Sequence, residues 1–150
     1  MRRPGLALRG GAVVVAAACG WLAPAARADC FDEAAAYQHV NATVLRAIAW
    51  QESRGRADAL HHNANGSLDY GLMQINSAHK AELQRWGIAP EQLMEPCVGV
   101  YVAAWHLRKM MLKYGNTWDA VGAYHSETPA LRDSYKAAIQ RIVAAHAGPP

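Results

Sequence analysis

The N-terminus decides how much of this chain has to fold together. Met1–Arg9 carries Arg2, Arg3 and Arg9, an apolar run follows from Ala12 to Ala23, and Ala26-Arg27-Ala28 supplies a small-x-small site. A basic start, a short apolar middle and such a site describe a secretory signal peptide, cut after Ala28. The run is too short to span a bilayer as a helix, and no later segment approaches the length needed. A buried N-terminal helix is the alternative, but the run has no polar face to turn to water. Residues 1–28 therefore read as an export leader, and residues 29–150 as one domain with one core.

Removing the leader removes the apparent basicity. The whole chain carries 15 Lys and Arg against 12 Asp and Glu. Arg2, Arg3, Arg9 and Arg27 depart with the leader, leaving 11 basic against 12 acidic residues, a net charge of −1. Phosphate backbones demand clustered Lys and Arg, so nucleic acid is not expected as a partner. Cys19 departs as well, and Cys30 and Cys97 remain as an even pair in an oxidising compartment. A bridge between them would tie the mature N-terminus to mid-chain and stabilise it by roughly 4 kcal/mol through loop-closure entropy. Two unpaired buried thiols are the alternative. Ala17-Ala18-Cys19 also faintly resembles a lipoprotein processing site without its usual leucine, and lipidation there would still leave Cys30 and Cys97 to pair.

Beyond the leader the periodicity is helical almost throughout. Asn41 caps a helix whose Val44, Leu45, Ile48 and Ala49 form one apolar face, ending near Gly55. From Arg56 to Tyr70 the period stops, which predicts a polar loop with room for a small β-hairpin around Asn65-Gly66. Ser77 to Trp86 predicts a short helix closed by Gly87. Pro96 opens the longest helix and Gly115 stops it. A short helix follows over Thr117–Tyr124. Thr128-Pro129 starts a last one bearing Leu131, Tyr135, Ile139, Ile142 and Val143. The expected fold is mainly α: a compact helical domain with one polar loop, and a loose Gly148-Pro149-Pro150 tail.

Glu52 is the first candidate for chemistry. It lies seven residues after Leu45 and four after Ile48, so it prolongs the apolar stripe of its own helix. Burial disfavours the charged form and raises the pKa, as a general acid at neutral pH requires. The alternative is a solvated glutamate at a helix C-terminus, where the macrodipole is mildly unfavourable.

The following segment favours the chemical reading. Glu52-Ser53, then Gly71-Leu72-Met73-Gln74, then Gly122-Ala123-Tyr124 resemble in order the motifs of the lysozyme-like superfamily. Within it they resemble the lytic transglycosylases, whose Glu-Ser precedes Gly-Leu-Met-Gln and Ala-Tyr-Asn elements. The leader and the single-domain size resemble the small specialised transglycosylases that accompany type III and type IV secretion and conjugation systems. The resemblance spans roughly Cys30 to Ile142. It implies a lysozyme-like α fold, peptidoglycan glycan strands as substrate, no metal and no cofactor. It further implies a monomer in the periplasm, with secretion-system components as partners. By the same resemblance Glu52 is the acid/base, Ser53 positions Glu52 or substrate, Gln74 hydrogen-bonds a sugar, and the Tyr124 hydroxyl reaches towards Glu52. Plainer roles exist for each: a helix-end hydroxyl, a loop amide, a core tyrosine. One position departs, since His125 stands where Asn is expected.

Asp69 separates two enzymatic readings. The run Gly66-Ser67-Leu68-Asp69-Tyr70-Gly71 also resembles the segment bearing the second carboxylate of animal c-type lysozymes. Two carboxylates flanking a scissile bond are the arrangement for glycoside hydrolysis, whereas a turn aspartate bonding its local backbone is the plainer role. The leading expectation is a lytic transglycosylase that leaves 1,6-anhydro ends. The alternatives are a muramidase using Glu52 and Asp69, and a non-catalytic wall-binding or secretion-assembly module. His61-His62, His79, His106 and His125 lack a convincing metal-ligand spacing and read as surface histidines. No phosphate loop is present, and Ser53 and Ser67 lack a nucleophile-elbow context.

Overall fold

A computed structural model describes residues 29–146; the leader, Cys19 and the Gly148-Pro149-Pro150 tail lie outside the described residues. The chain begins with α1 (Cys30–Gln38), whose first turn is capped by the Asp29 side chain. The Asp29 carboxylate also accepts from Arg46 Nη2 at 2.7 Å, joining α1 to α2 (Ala42–Ser53). Asn41 caps α2 by accepting from Val44 N, as its residue type predicts. Cys30 and Cys97 are bonded to each other, their Cα atoms 5.5 Å apart, so α1 is stapled to the first turn of α4 (Pro96–Tyr114).

Between these helices lies a three-stranded antiparallel sheet in the order β1 (Leu60–His62), β2 (Leu68–Tyr70) and β3 (Ile75–Asn76). After a 3-10 turn come α3 (Lys80–Gln84), a second 3-10 turn over Pro90–Met94, then α4, α5 (Trp118–His125) and α6 (Pro129–His146). Leu45 and Ile48 of α2, Val100 and Leu107 of α4 and Ile139 of α6 are fully buried together. Met73, Leu83 and Leu93 close that core from the sheet side. Gly122 lets α5 approach α6, because a Cβ there would stand 2.5 Å from the Arg132 carbonyl oxygen.

Three features differ from the sequence reading. The periodicity did not suggest α1, a nine-residue alanine-rich helix fixed by its cap and its bridge rather than by an apolar stripe. The hairpin gains a third strand of two residues, too short for propensity to mark and made by pairing alone. The expected Ser77–Trp86 helix divides into a 3-10 turn and a five-residue α-helix. Among the described residues no helix is long and apolar enough to cross a membrane.

Candidate active site

Glu52 stands in the last turn of α2, before Arg54 takes the left-handed conformation that ends the helix. The apolar stripe of Leu45 and Ile48 turns it inward, onto a cleft of about 280 Å³ between the helices and the sheet. Burial pushes its carboxyl up to about 7, opposed by a hydrogen bond from the Tyr135 hydroxyl and reinforced by the charge of Asp69. That hydroxyl donates to Glu52 Oε1 at 2.5 Å. Tyr135 arrives from α6 and is itself buried. The exposed ring of His125 stacks flat on Tyr135, with centroids 4.9 Å apart and planes 3° from parallel.

Asp69 forms the opposite wall from the middle strand. The register sets it directly across from Asn76 on β3, so the Asn76 amide donates to Asp69 Oδ1 at 2.6 Å. Asn63 opens the tight turn after β1, and its amide donates to Asp69 Oδ2 at 2.8 Å. Both carboxylate oxygens therefore accept from side-chain amides. Asn76 is steadied in turn, because its Nδ2 also donates to Ser67 Oγ. The plainer role considered for Asp69, bonding its local backbone, is not the arrangement found.

The Gly71-Leu72-Met73-Gln74 turn links the two walls. Gly71 has φ +68°, and a Cβ there would overlap the Leu93 carbonyl, so only glycine fits. Ser53 is buried, and its hydroxyl donates to Leu72 O at 2.8 Å with Ala49 O at 3.2 Å. It bolts the end of α2 to this turn, next to Glu52. Gln74 holds the unusual φ of +48°, supported by its amide donating to Gly71 O and Ala59 O. Its Nε2 is thus turned inward, leaving Oε1 as the atom offered to the cleft it lines. Tyr124 is buried and donates to Met73 O at 3.2 Å; the phenol that bonds Glu52 is Tyr135 instead.

His79 and His106 close one end of the cleft, their rings 4.8 Å apart. Burial holds His106 down at about 4 and lowers His79 as well, so both imidazoles are neutral at pH 7. The His106 Nε2 bonds the Tyr124 carbonyl at 3.1 Å, which makes Nε2 the protonated nitrogen. Among the described residues no group of three or more His, Cys, Asp or Glu is placed to hold a metal ion.

The structure thus brings Glu52, Asp69, Gln74 and Tyr124 to one cleft and puts Ser53 behind it. Sequence reasoning missed Tyr135, Asn63 and Asn76. Tyr135 hid in the apolar stripe of its helix, although a phenol in such a stripe needs a buried partner and so gave a signal. The two asparagines gave none, since loop amides are ordinary.

Comparison with known proteins places this arrangement. The family profile described as "Transglycosylase SLT domain" matches residues 29–141. Invasion protein IagB of Salmonella typhimurium is 44% identical over 110 residues, covering 73% of this chain and 69% of its own. Protein IpgF of Shigella flexneri is 44% identical over 103 residues, 68% of each chain. Among solved structures, an inactive mutant of lytic transglycosylase Slt from Pseudomonas aeruginosa has a TM-score of 0.62 at 22% identity. It covers 79% of this chain and 23% of its own, and it shares the lysozyme-like fold expected from the motifs. The chain belongs to the transglycosylase SLT domain family, and it is a peptidoglycan lytic transglycosylase, acting outside the cytoplasm.

Proposed function

We propose that Glu52 performs both proton transfers of the reaction. Its carboxyl protonates the oxygen linking N-acetylmuramic acid to N-acetylglucosamine, and the C1–O bond breaks. The C6 hydroxyl of the same muramic acid then closes on C1 and returns its proton to Glu52. A 1,6-anhydro end results and no water is consumed. The observation that carries this reading is the Glu52 carboxyl, raised to about 7 by burial and so still partly protonated at neutral pH. Asp69 serves as a fixed negative charge beside the developing oxocarbenium ion. With both oxygens already bonded to Asn63 and Asn76, it stabilises that charge without moving. Gln74 and Tyr124 shape the sugar site.

The Asp69 wall also favours a second reading, a muramidase in which water finishes the reaction. Mass analysis of the fragments released from purified peptidoglycan decides between them. Anhydro ends, each lacking one water, are expected; reducing ends from the unmutated enzyme would leave the muramidase standing.

The leader and the Cys30–Cys97 bridge support export, cleavage after Ala28 and action in the periplasm. The likeness to an invasion protein supports local wall opening during assembly of a secretion system, with its components as partners. Intact mass of the exported protein tests the leader: a start at Asp29 is expected, and a start at an acylated Cys19 would make it membrane-anchored.

A further inference from the structure

A second groove, of about 600 Å³, runs along α4 between the end of α1 and the segment after α3. Its rim is aromatic and open to water: Tyr37 is 73% exposed and Trp86 52%. Large rings gathered on a surface mark a binding face rather than a solvated one. Tyr101 and Trp105 stand one helical turn apart on α4, so their rings line up along it. Tyr37 leans on Tyr101 with centroids 6.3 Å apart, and Trp86 meets Trp105 edge-on at 4.7 Å.

The chemistry of the lining narrows the ligand. Among the described residues no Asp, Glu, Lys or Arg side chain lines the groove, which disfavours a phosphate or a charged peptide. Two carboxamides do line it, Gln38 and Gln92. Gln92 Oε1 accepts from Ala89 N at 2.8 Å, which fixes the group and turns its NH2 elsewhere as a ready donor. Apolar rings with a fixed amide donor from Gln92 and a second amide from Gln38 suit a neutral pyranose bearing an acetamido group. Its CH face and methyl lie on the rings, and its carbonyl accepts from the amide.

The groove is a neighbour of the catalytic cleft. Trp105 lines the groove and meets His79 edge-on at 6.3 Å, while His79 lines the catalytic cleft. One layer of rings therefore separates the two. The cleft is less than half the volume of the groove, and its substrate is a polymer that must continue past its ends.

We propose that this groove is an accessory glycan site that holds N-acetylhexosamine units of the same strand being cleaved, beyond the His79 end of the cleft. The proposal rests on the transglycosylase reading of the cleft. Its test compares kcat/KM on long, uncross-linked glycan strands with kcat/KM on a tetrasaccharide of the same repeat. Trp86→Ala should lower the long-to-short ratio about tenfold, the loss expected from truncating one aromatic anchor. Tyr37→Ala should lower it less, and Trp86→Phe should recover most of it. Tyr37→Ala carries the test if Trp86→Ala shifts Tm. An unchanged ratio overturns the proposal, and so does an equal loss at both lengths. A loss seen only on cross-linked sacculi also overturns it, since a neighbouring strand would then be the ligand. Binding of the Glu52→Gln protein to long strands, with and without Trp86→Ala, reads the groove without turnover. Failure of the groove is thereby distinguished from failure of the catalytic assignment.

Discussion

The two walls of the cleft put the same functional group in opposite surroundings. Glu52 ends an apolar helical stripe, lies against buried tyrosines and receives one hydrogen bond, from Tyr135. Asp69 sits on a strand whose register delivers an amide to each of its oxygens. Burial that one hydrogen bond only partly offsets makes a carboxyl that keeps its proton, and a donor on each oxygen makes a fixed acceptor. The division of labour between them thus comes from the elements that carry them.

The largest effect should come from the helical wall. Glu52→Gln keeps the shape but has no proton to give, so activity on peptidoglycan should fall by about 10²–10⁴-fold or more. Near-normal digestion by this variant would remove Glu52 from the mechanism. The sheet wall should matter less. Asp69→Asn removes a charge that acts at a distance, and about 10²–10³-fold is the scale for one electrostatic stabiliser. Its remaining products should still be anhydro fragments by mass. Collapse of Asp69→Asn to the level of Glu52→Gln, together with reducing-end products from the wild type, would make the two walls equal partners in hydrolysis.

The two walls also differed in how far the sequence revealed them. Glu52 was half legible from helical period, since it prolongs the stripe of Leu45 and Ile48, and the resemblance of Glu52-Ser53 and Gly71-Leu72-Met73-Gln74 favoured its reading as the acid. Asp69 was visible only by resemblance, because its meaning depends on a register that no local pattern specifies. Asn63 and Asn76 come to it from either side by strand pairing, and the third strand is two residues long. Tyr124, expected to reach towards Glu52, lines the same cleft, but the hydroxyl bonded to Glu52 comes from Tyr135, 83 residues along the chain. That contact is set by the packing of α6 against α2, where Gly122 lets α5 close on the same helix. Long-range packing of this kind leaves little trace in sequence.

A smaller change sharpens the account of Glu52. The Tyr135 hydroxyl favours the charged form of Glu52, and burial outweighs it. Tyr135→Phe removes the opposing influence and leaves the ring under His125 in place. The Glu52 pKa should rise further, so the alkaline limb of kcat/KM should move to higher pH. The maximal rate should fall by about tenfold, the scale of one hydrogen bond to a charged group. A limb that moves to lower pH would mean that Tyr135 supports the neutral acid rather than the carboxylate.

In stability the two walls should differ in sign. The folded pKa of Glu52, about 7, lies above its ordinary value of 4.5. Its contribution is therefore fully present below pH 4.5 and is lost as pH rises through 7. At pH 8 the folded state holds a half-buried, ionised carboxylate that would be better solvated in the unfolded chain. Glu52→Gln removes that cost, so it should stabilise the protein at pH 8 by on the order of 1–3 kcal/mol and by little at pH 4. Asp69→Asn removes the acceptor of two amide donors and sets an amide against amides. It should destabilise by about 1–3 kcal/mol at pH 8. Denaturant unfolding of both variants at pH 4 and pH 8 measures this. If Glu52→Gln destabilises at pH 8 as Asp69→Asn does, the carboxyl on α2 is satisfied in its ionised form, and the contrast between the walls fails.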